Sequence, residues 1–149
     1  MKGRTIAQSF TIARYLARQH GLAGNTDLAA AEADVVIDSL VELLGPMADM
    51  MCVKDEQKKA EKRKVFTEET LPGWLEVMEK LLMERGGKHF AGGELSWADL
   101  AVFNLIDDIK GQLGEVKMEQ YPGLDQLTLM VRSLPNIAKW LEERPVTPY

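Results

Sequence analysis

The chain has 149 residues, 46% of them hydrophobic and 28% charged, with a formal net charge of −5 and a pI near 5.1. That is enough for one domain with a real core, and the acidic balance excludes sequence-independent nucleic-acid binding, which needs a basic face. The apolar runs are short and broken by charge, which argues against a membrane span, and a single cysteine, Cys52, leaves no internal disulfide. The opening residues, MKGRTIAQSF, lack an apolar signal region, so a cytoplasmic protein is expected.

In chain order, residues 4–7 (Arg-Thr-Ile-Ala) read as a short strand. A lone strand cannot stabilise itself, so this one needs a sheet outside the chain or is frayed. A helix follows from Ser9, with Ile12, Ala13, Tyr15, Leu16 and Ala17 on its apolar face and Gly21 and Gly24 marking its end. Asn25, Thr26 and Asp27 supply cap chemistry for a second helix. Its apolar residues run from Leu28 to Met51, and Pro46 inside the pattern is expected to bend or break it. Asp34, Asp38 and Glu42 recur every fourth residue and share one face of it.

Residues 54–64 form a mixed charge run, KDEQKKAEKRK, which favours an exposed helical surface. Apolar content returns from Phe66 to Met83, with a kink expected at Pro72 and a stop at Gly86 and Gly87. Residues 92–111 hold the helix on which the rest depends. Ser96 is its N-cap, Asp99 can reach back to the free backbone N–H groups, and Gly111 is its C-terminal stop. Trp97, Leu100, Val102, Phe103, Leu105, Ile106 and Ile109 cover more than one stripe, the pattern of a buried helix. Pro122 opens the next helix. A short final one carries Ile137, Ala138, Trp140 and Leu141 to Arg144 and Pro145, and residues 146–149 are expected to be extended. The tally is about six helices and at most one strand, an all-α fold.

The chain carries no metal motif and no glycine-rich phosphate loop ahead of a helix. His20 and His89 stand alone and suit surface or loop roles, and Cys52 reads as a packed thiol beside Met50 and Met51. The informative stretch is residues 7–10, Ala-Gln-Ser-Phe, where strand gives way to helix. Ser9 can offer its hydroxyl and its backbone N–H at a helix N-terminus, where anions bind well. Gln8 adds an amide, and the pair suits a small carboxylate. Ser9 as a plain N-cap is the other reading that these four residues allow.

Three stretches together carry a resemblance. The first is IAQSFTIARYLARQHGLAG, with Gln-Ser ahead of an Ile-x-Arg-Tyr-Leu helix formed by Ile12, Arg14, Tyr15 and Leu16. The second is FAGGELSWADL, and the third is YPGLDQL with SLPNIAKWLEERP. In this order and spacing the chain resembles the soluble glutathione transferases over essentially its whole length. Within them it is most similar to the sigma class, which includes glutathione-dependent prostaglandin D synthases and lens S-crystallins. The resemblance implies the C-terminal helical bundle of that family over residues 25–149. Residues 1–24 would be a remnant strand and helix of the N-terminal, thioredoxin-like, glutathione-binding domain.

Roles follow residue by residue. The resemblance implies that Gln8 and Ser9 hold the γ-glutamyl end of glutathione, the co-substrate. Glu42 would reach the glutathione amine in the neighbouring subunit of a homodimer. Leu44, Met47, Met50 and Met51 would wall the site for a small hydrophobic substrate, with core packing the equal alternative for each. Arg14 matches a residue near the dimer contact, Ser96 and Asp99 match a folding cap, and Asp38 matches a position where some relatives bind a divalent cation. A solvated helix face is the default reading of Glu42 and Asp38.

The family's catalytic tyrosine, which lowers the pKa of the glutathione thiol by hydrogen bonding, lies ahead of the first residues seen here. Tyr15, Tyr121 and Tyr149 do not match it, so no catalytic residue is assigned. Two classes of function follow. One is a transferase that adds glutathione to hydrophobic electrophiles when complete, with prostaglandin isomerisation a narrower variant, and with these 149 residues alone inactive. The other is a non-catalytic helical module akin to a crystallin.

Overall fold

The computed structural model describes residues 3, 5–114 and 116–145. Among them are seven α-helices and no strand: α1 (Ser9–Gln19), α2 (Asp27–Met51), α3 (Glu56–Val65), α4 (Leu71–Glu84), α5 (Trp97–Leu113), α6 (Pro122–Ser133) and α7 (Pro135–Glu143). A π-helical turn, Phe66–Thr70, joins α3 to α4 without a break, so the helical rods number six. The expected strand at residues 4–7 is not formed: residues 5–7 are irregular and exposed, with no strand among the described residues to complete a ladder, and Arg4 lies outside the described residues. The tail, residues 146–149, also lies outside them.

α5 is the post of the bundle. Trp97, Ala98, Val102, Phe103, Leu105, Ile106 and Ile109 are all buried, and α1, α2 and α6 pack around the helix. The same core takes in Ile37 of α2 and Leu124 and Val131 of α6, and α4, packed on α2 and α6, adds Leu75, Met78 and Leu82, each of these six 2% exposed or less. Side chains this deeply covered contribute about 1.5–3 kcal/mol each relative to exposure, which is why the post and its three neighbours set the architecture.

The start of α5 follows from Asp99. This fully buried carboxylate accepts the Ser96 N–H at 2.7 Å and the Ser96 hydroxyl at 2.9 Å on Oδ2, and the Phe90 N–H at 2.9 Å on Oδ1. It therefore ties the helix start to the preceding loop as well as capping it. Burial pushes the Asp99 carboxyl above its ordinary value, against the opposing pull of those hydrogen bonds and of neighbouring His89. The helix runs past Gly111 and stops at Gly114, whose φ of 85° is the left-handed conformation that suits glycine. Gly111 sits inside a turn that Lys110 and Leu113 continue, so the stop falls three residues later than the sequence suggests.

The other ends obey similar chemistry. Thr26 Oγ1 accepts the Ala29 N–H at 3.1 Å to start α2, and Asp55 Oδ1 accepts the Lys58 N–H at 3.0 Å to start α3. Glu79 of α4 caps α6 from the side, its two carboxylate oxygens accepting the Gly123 and Leu124 N–H groups at 2.8 Å each. Pro46 does not break α2, which continues to Met51. The proline is exposed, so the Glu42 carbonyl that its missing N–H leaves free faces water. At Pro72 the chain adjusts through the π-helical turn just ahead of it, where the Leu71 N–H reaches back five residues to the Phe66 carbonyl.

Candidate functional site

α1 begins at a strained corner. Gln8 has φ 73° and ψ 118°, and it is the one non-glycine among the described residues with positive φ. A side chain held there costs on the order of 1–3 kcal/mol, and such strain clusters at ligand-holding sites. The Gln8 carbonyl accepts the Ile12 N–H at 2.9 Å and so opens the helix. No side chain caps that end, which leaves the first-turn N–H groups, with the Ser9 hydroxyl, facing outward from an exposed corner. Ser9 is thus not the N-cap. It is the first helical residue, and Gln8 takes the cap position.

The corner is braced from behind. Arg14 Nε donates to Asp34 Oδ1 of α2 at 2.8 Å, while its guanidinium lies 5.1 Å from the centre of the Trp97 ring at the start of α5. Ala17 is buried in the common core, and the Trp97 N–H donates to the Leu22 carbonyl at 2.8 Å. Beside α1 runs an apolar groove of about 460 Å³, floored by Trp97 and Phe103 and walled by Leu16 and Trp140. Leu16 and Trp140 remain 49% and 58% exposed.

The other expected residues sit on α2 and are not gathered at the corner. Glu42 and Asp38 are exposed, and no hydrogen bond or ion pair joins Glu42 to Gln8 or Ser9 within the chain. Met47 and Met50 are buried in the core, Leu44 packs half-buried against it, and Met51 is 41% exposed. Met50 and Met51 line a second cavity of about 360 Å³ with Lys59, Arg63 and Gln112. Cys52 closes α2 as an exposed thiol, because the helix ends there and the chain turns away; the packed position expected for it is not taken. Among the described residues no group of three His, Cys, Asp or Glu side chains is placed to hold a metal, and no helix is long and apolar enough to cross a membrane.

Residues 41–144 match the family model described as the glutathione S-transferase C-terminal domain. The chain belongs to the glutathione S-transferase family. It is 33% identical over 150 residues to glutathione S-transferase 1 of Ascaris suum, covering 99% of this chain and 72% of that protein. Among solved structures it is similar to prostaglandin synthase D of Nilaparvata lugens, with a TM-score of 0.89 at 27% identity over 99% of this chain and 73% of that one. The sigma class transferase of Fasciola hepatica superposes with a TM-score of 0.82 at 27% identity, over 98% of this chain and 70% of that one.

Two features of this transferase chain were not legible in the sequence. His89 lies in a loop, as expected, but is only 7% exposed, with Nδ1 3.7 Å from Asp99 Oδ2 and no hydrogen-bond partner. Its neighbours Lys88 and Gly87 give no sign of burial; the loop is drawn inward at Phe90, whose ring is buried, whose N–H is held by Asp99 and whose carbonyl accepts from Arg85 at 2.6 Å. The cationic rim of Lys59 and Arg63 beside Met51 belongs to a charge run that looks wholly solvated, and the signal that was available is the i, i+4 spacing of the two cations.

Proposed function

We propose that this chain is the helical part of a sigma-like glutathione transferase, and that Gln8 and Ser9 anchor the γ-glutamyl carboxylate of glutathione. The observation that carries this reading is the backbone of Gln8, held at φ 73° immediately ahead of an uncapped helix start. With no side chain capping this end, the first-turn N–H groups and the positive end of the α1 dipole are free to take a ligand. A carboxylate placed there meets charge-assisted hydrogen bonds from backbone N–H groups and the Ser9 hydroxyl. Residues 1–24, in this reading, belong to the glutathione-binding lobe, and residues 25–149 form the helical domain.

The groove beside α1 is then the seat of the remainder of the thioredoxin-like lobe. Leu16 and Trp140 are the surface it covers. Glutathione supplies the nucleophilic thiol of the reaction, and this chain supplies orientation: one end of the peptide fixed at α1, and the hydrophobic co-substrate walled by α2. On α2, Leu44 and Met51 have surface to offer, with Met47 and Met50 backing them from the core. Glu42, exposed and without an ion pair among the described residues, would serve the partner subunit of a homodimer, and Leu28 and Val35, 71% and 53% exposed on the same helix, would supply apolar surface for that contact. Likeness to prostaglandin synthase D of Nilaparvata lugens supports glutathione-dependent isomerisation as a narrower form of the same activity.

Retention on immobilised glutathione, together with a conjugation assay using an activated aryl halide, tests this. The chain is expected to be retained weakly, to lose retention on Ser9→Ala, and to conjugate nothing alone, because a single anchoring pair leaves the thiol without a partner and the ordering cost poorly offset. Robust turnover by the chain alone, or retention indifferent to Ser9→Ala, would contradict it.

A further inference from the structure

A separate cavity of about 520 Å³ opens where the π-helical turn meets the segment between α5 and α6. Its apolar wall is Leu71, Leu75, Leu113 and Val116, and Thr67, Pro72, Gln120 and Tyr121 line it with them. It shares no lining residue with the groove beside α1. The volume suits a small organic molecule.

The wall contains an acceptor that the helix has left unspent. In regular geometry the Thr67 carbonyl takes its hydrogen bond from the N–H of residue 71, or of residue 72 in a π-turn. The Leu71 N–H is committed to the Phe66 carbonyl, and residue 72 is a proline with no N–H to give. Helix carbonyls point toward the C-terminal end, here toward Leu71 and Pro72, which themselves line the cavity. The Thr67 hydroxyl is turned the other way, donating to the Arg63 carbonyl at 2.9 Å. The Tyr121 hydroxyl is engaged as a donor to the Pro72 carbonyl at 3.3 Å. Glu68 and Lys117, which also line it, balance one another in charge, so the cavity favours neither anions nor cations.

We propose that this cavity binds a small, neutral, flat aromatic molecule carrying one N–H or O–H donor. Its ring lies against the four apolar side chains, and its donor meets the Thr67 carbonyl. π-Turns recur at functional sites for this kind of reason: the register shift exposes backbone hydrogen-bonding capacity that a uniform helix spends internally. The site is independent of glutathione and of the α1 corner, so it stands whether or not that corner holds a ligand.

Indole and benzofuran make the test, since they match in shape and differ in the single N–H. Each is titrated into the ¹⁵N-labelled full chain, and amide shifts are followed in residues 67–75 and 113–121. Indole is expected to bind saturably with shifts centred on those segments, and benzofuran roughly tenfold more weakly, the effect of one buried hydrogen bond. Pro72→Ala supplies the missing N–H and lets the helix spend its carbonyl, so indole loses its advantage over benzofuran. Equal affinity of the two ligands for the parent chain, shifts centred elsewhere, or no saturation by indole would each overturn the proposal, and the parent comparison decides even if the variant fails to fold.

Discussion

Removing the Asp99 carboxylate strikes the point at which the central helix and its preceding loop are joined. In Asp99→Ala the Phe90 and Ser96 N–H groups lose the oxygens that accept them at 2.9 and 2.7 Å, in a place where Asp99 and Phe90 are fully buried and Ser96 is 1% exposed. Each orphaned buried donor costs about 1–3 kcal/mol, so the pair costs about 2–6 kcal/mol. The Ser96 hydroxyl can rotate to another acceptor and adds little. Against a total stability of about 5–15 kcal/mol for a domain of this kind, the loss is a large fraction. For a chain near 150 residues it lowers Tm by roughly 4–24 °C. Asp99→Asn keeps one acceptor and the volume, and is expected to lose less.

The pH dependence separates the carboxylate from mere packing. Burial raises the Asp99 carboxyl in the folded state above its unfolded value of about 3.9. The folded state therefore binds the proton more readily, and the stability this group contributes is fullest below about pH 4 and falls as pH rises through its raised folded value. Asp99→Asn, which cannot titrate, is thus expected to cost more at pH 4 than at pH 7. Urea unfolding of parent and variants across that range, followed by far-UV circular dichroism, measures both effects. An Asp99→Ala variant within about 1 kcal/mol of the parent, below the cost of even one orphaned donor, or an Asp99→Asn gap that widens with rising pH, would refute the reasoning.

Two further predictions concern helix ends and interiors. Pro46→Ala restores an N–H for the Glu42 carbonyl at an exposed site inside α2, and thermal melts are expected to show a gain of about 1–3 kcal/mol; a loss would mean that the proline itself is needed there. At the start of α6, a Cβ on Gly123 would meet Glu79 Oε1 at 2.9 Å. Gly123→Ala should therefore destabilise the parent by displacing that cap and cost much less once Glu79→Ala has removed it. A double-mutant cycle reads the coupling, and additive losses would count against the side-on cap.

Much of the bundle can be read from the residues because its signals are local. Ser96 and Asp99 stand at cap spacing, Thr26 precedes Asp27, and Pro122 and Pro135 fall at helix starts, where their missing N–H groups cost nothing. The apolar excess of α5 reports a helix covered on most sides. Where the reading departs from the fold, a distant partner or the solvent decides. Residues 5–7 have strand chemistry but no ladder to join. Pro46 is tolerated because the carbonyl it orphans faces water, which a one-dimensional pattern does not encode. Gly111 and Gly114 look alike as stops, and only the φ of 85° at Gly114 separates them.

The α1 corner lies at the limit of what sequence carries. Gln-Ser ahead of a helix suggests an ordinary cap, and it is the resemblance of the surrounding stretch that points to a ligand. The positive φ of Gln8 leaves no trace in composition, since the residue that most often marks that conformation is glycine. The division of Leu44, Met47, Met50 and Met51 between core and surface has a similar origin: α2 turns Met47 and Met50 to its covered face and Met51 away from it, and spacing alone does not say which face is covered.

The account stands or falls on what the Gln8–Ser9 corner holds. The direct measurement is a ¹⁵N NMR titration of the chain with glutathione and, separately, with cysteinylglycine, which lacks the γ-glutamyl group. Glutathione is predicted to shift the amides of Ser9 and Phe10 saturably while cysteinylglycine leaves them in place. Equal shifts from both peptides, or none from either at millimolar concentration, would contradict it.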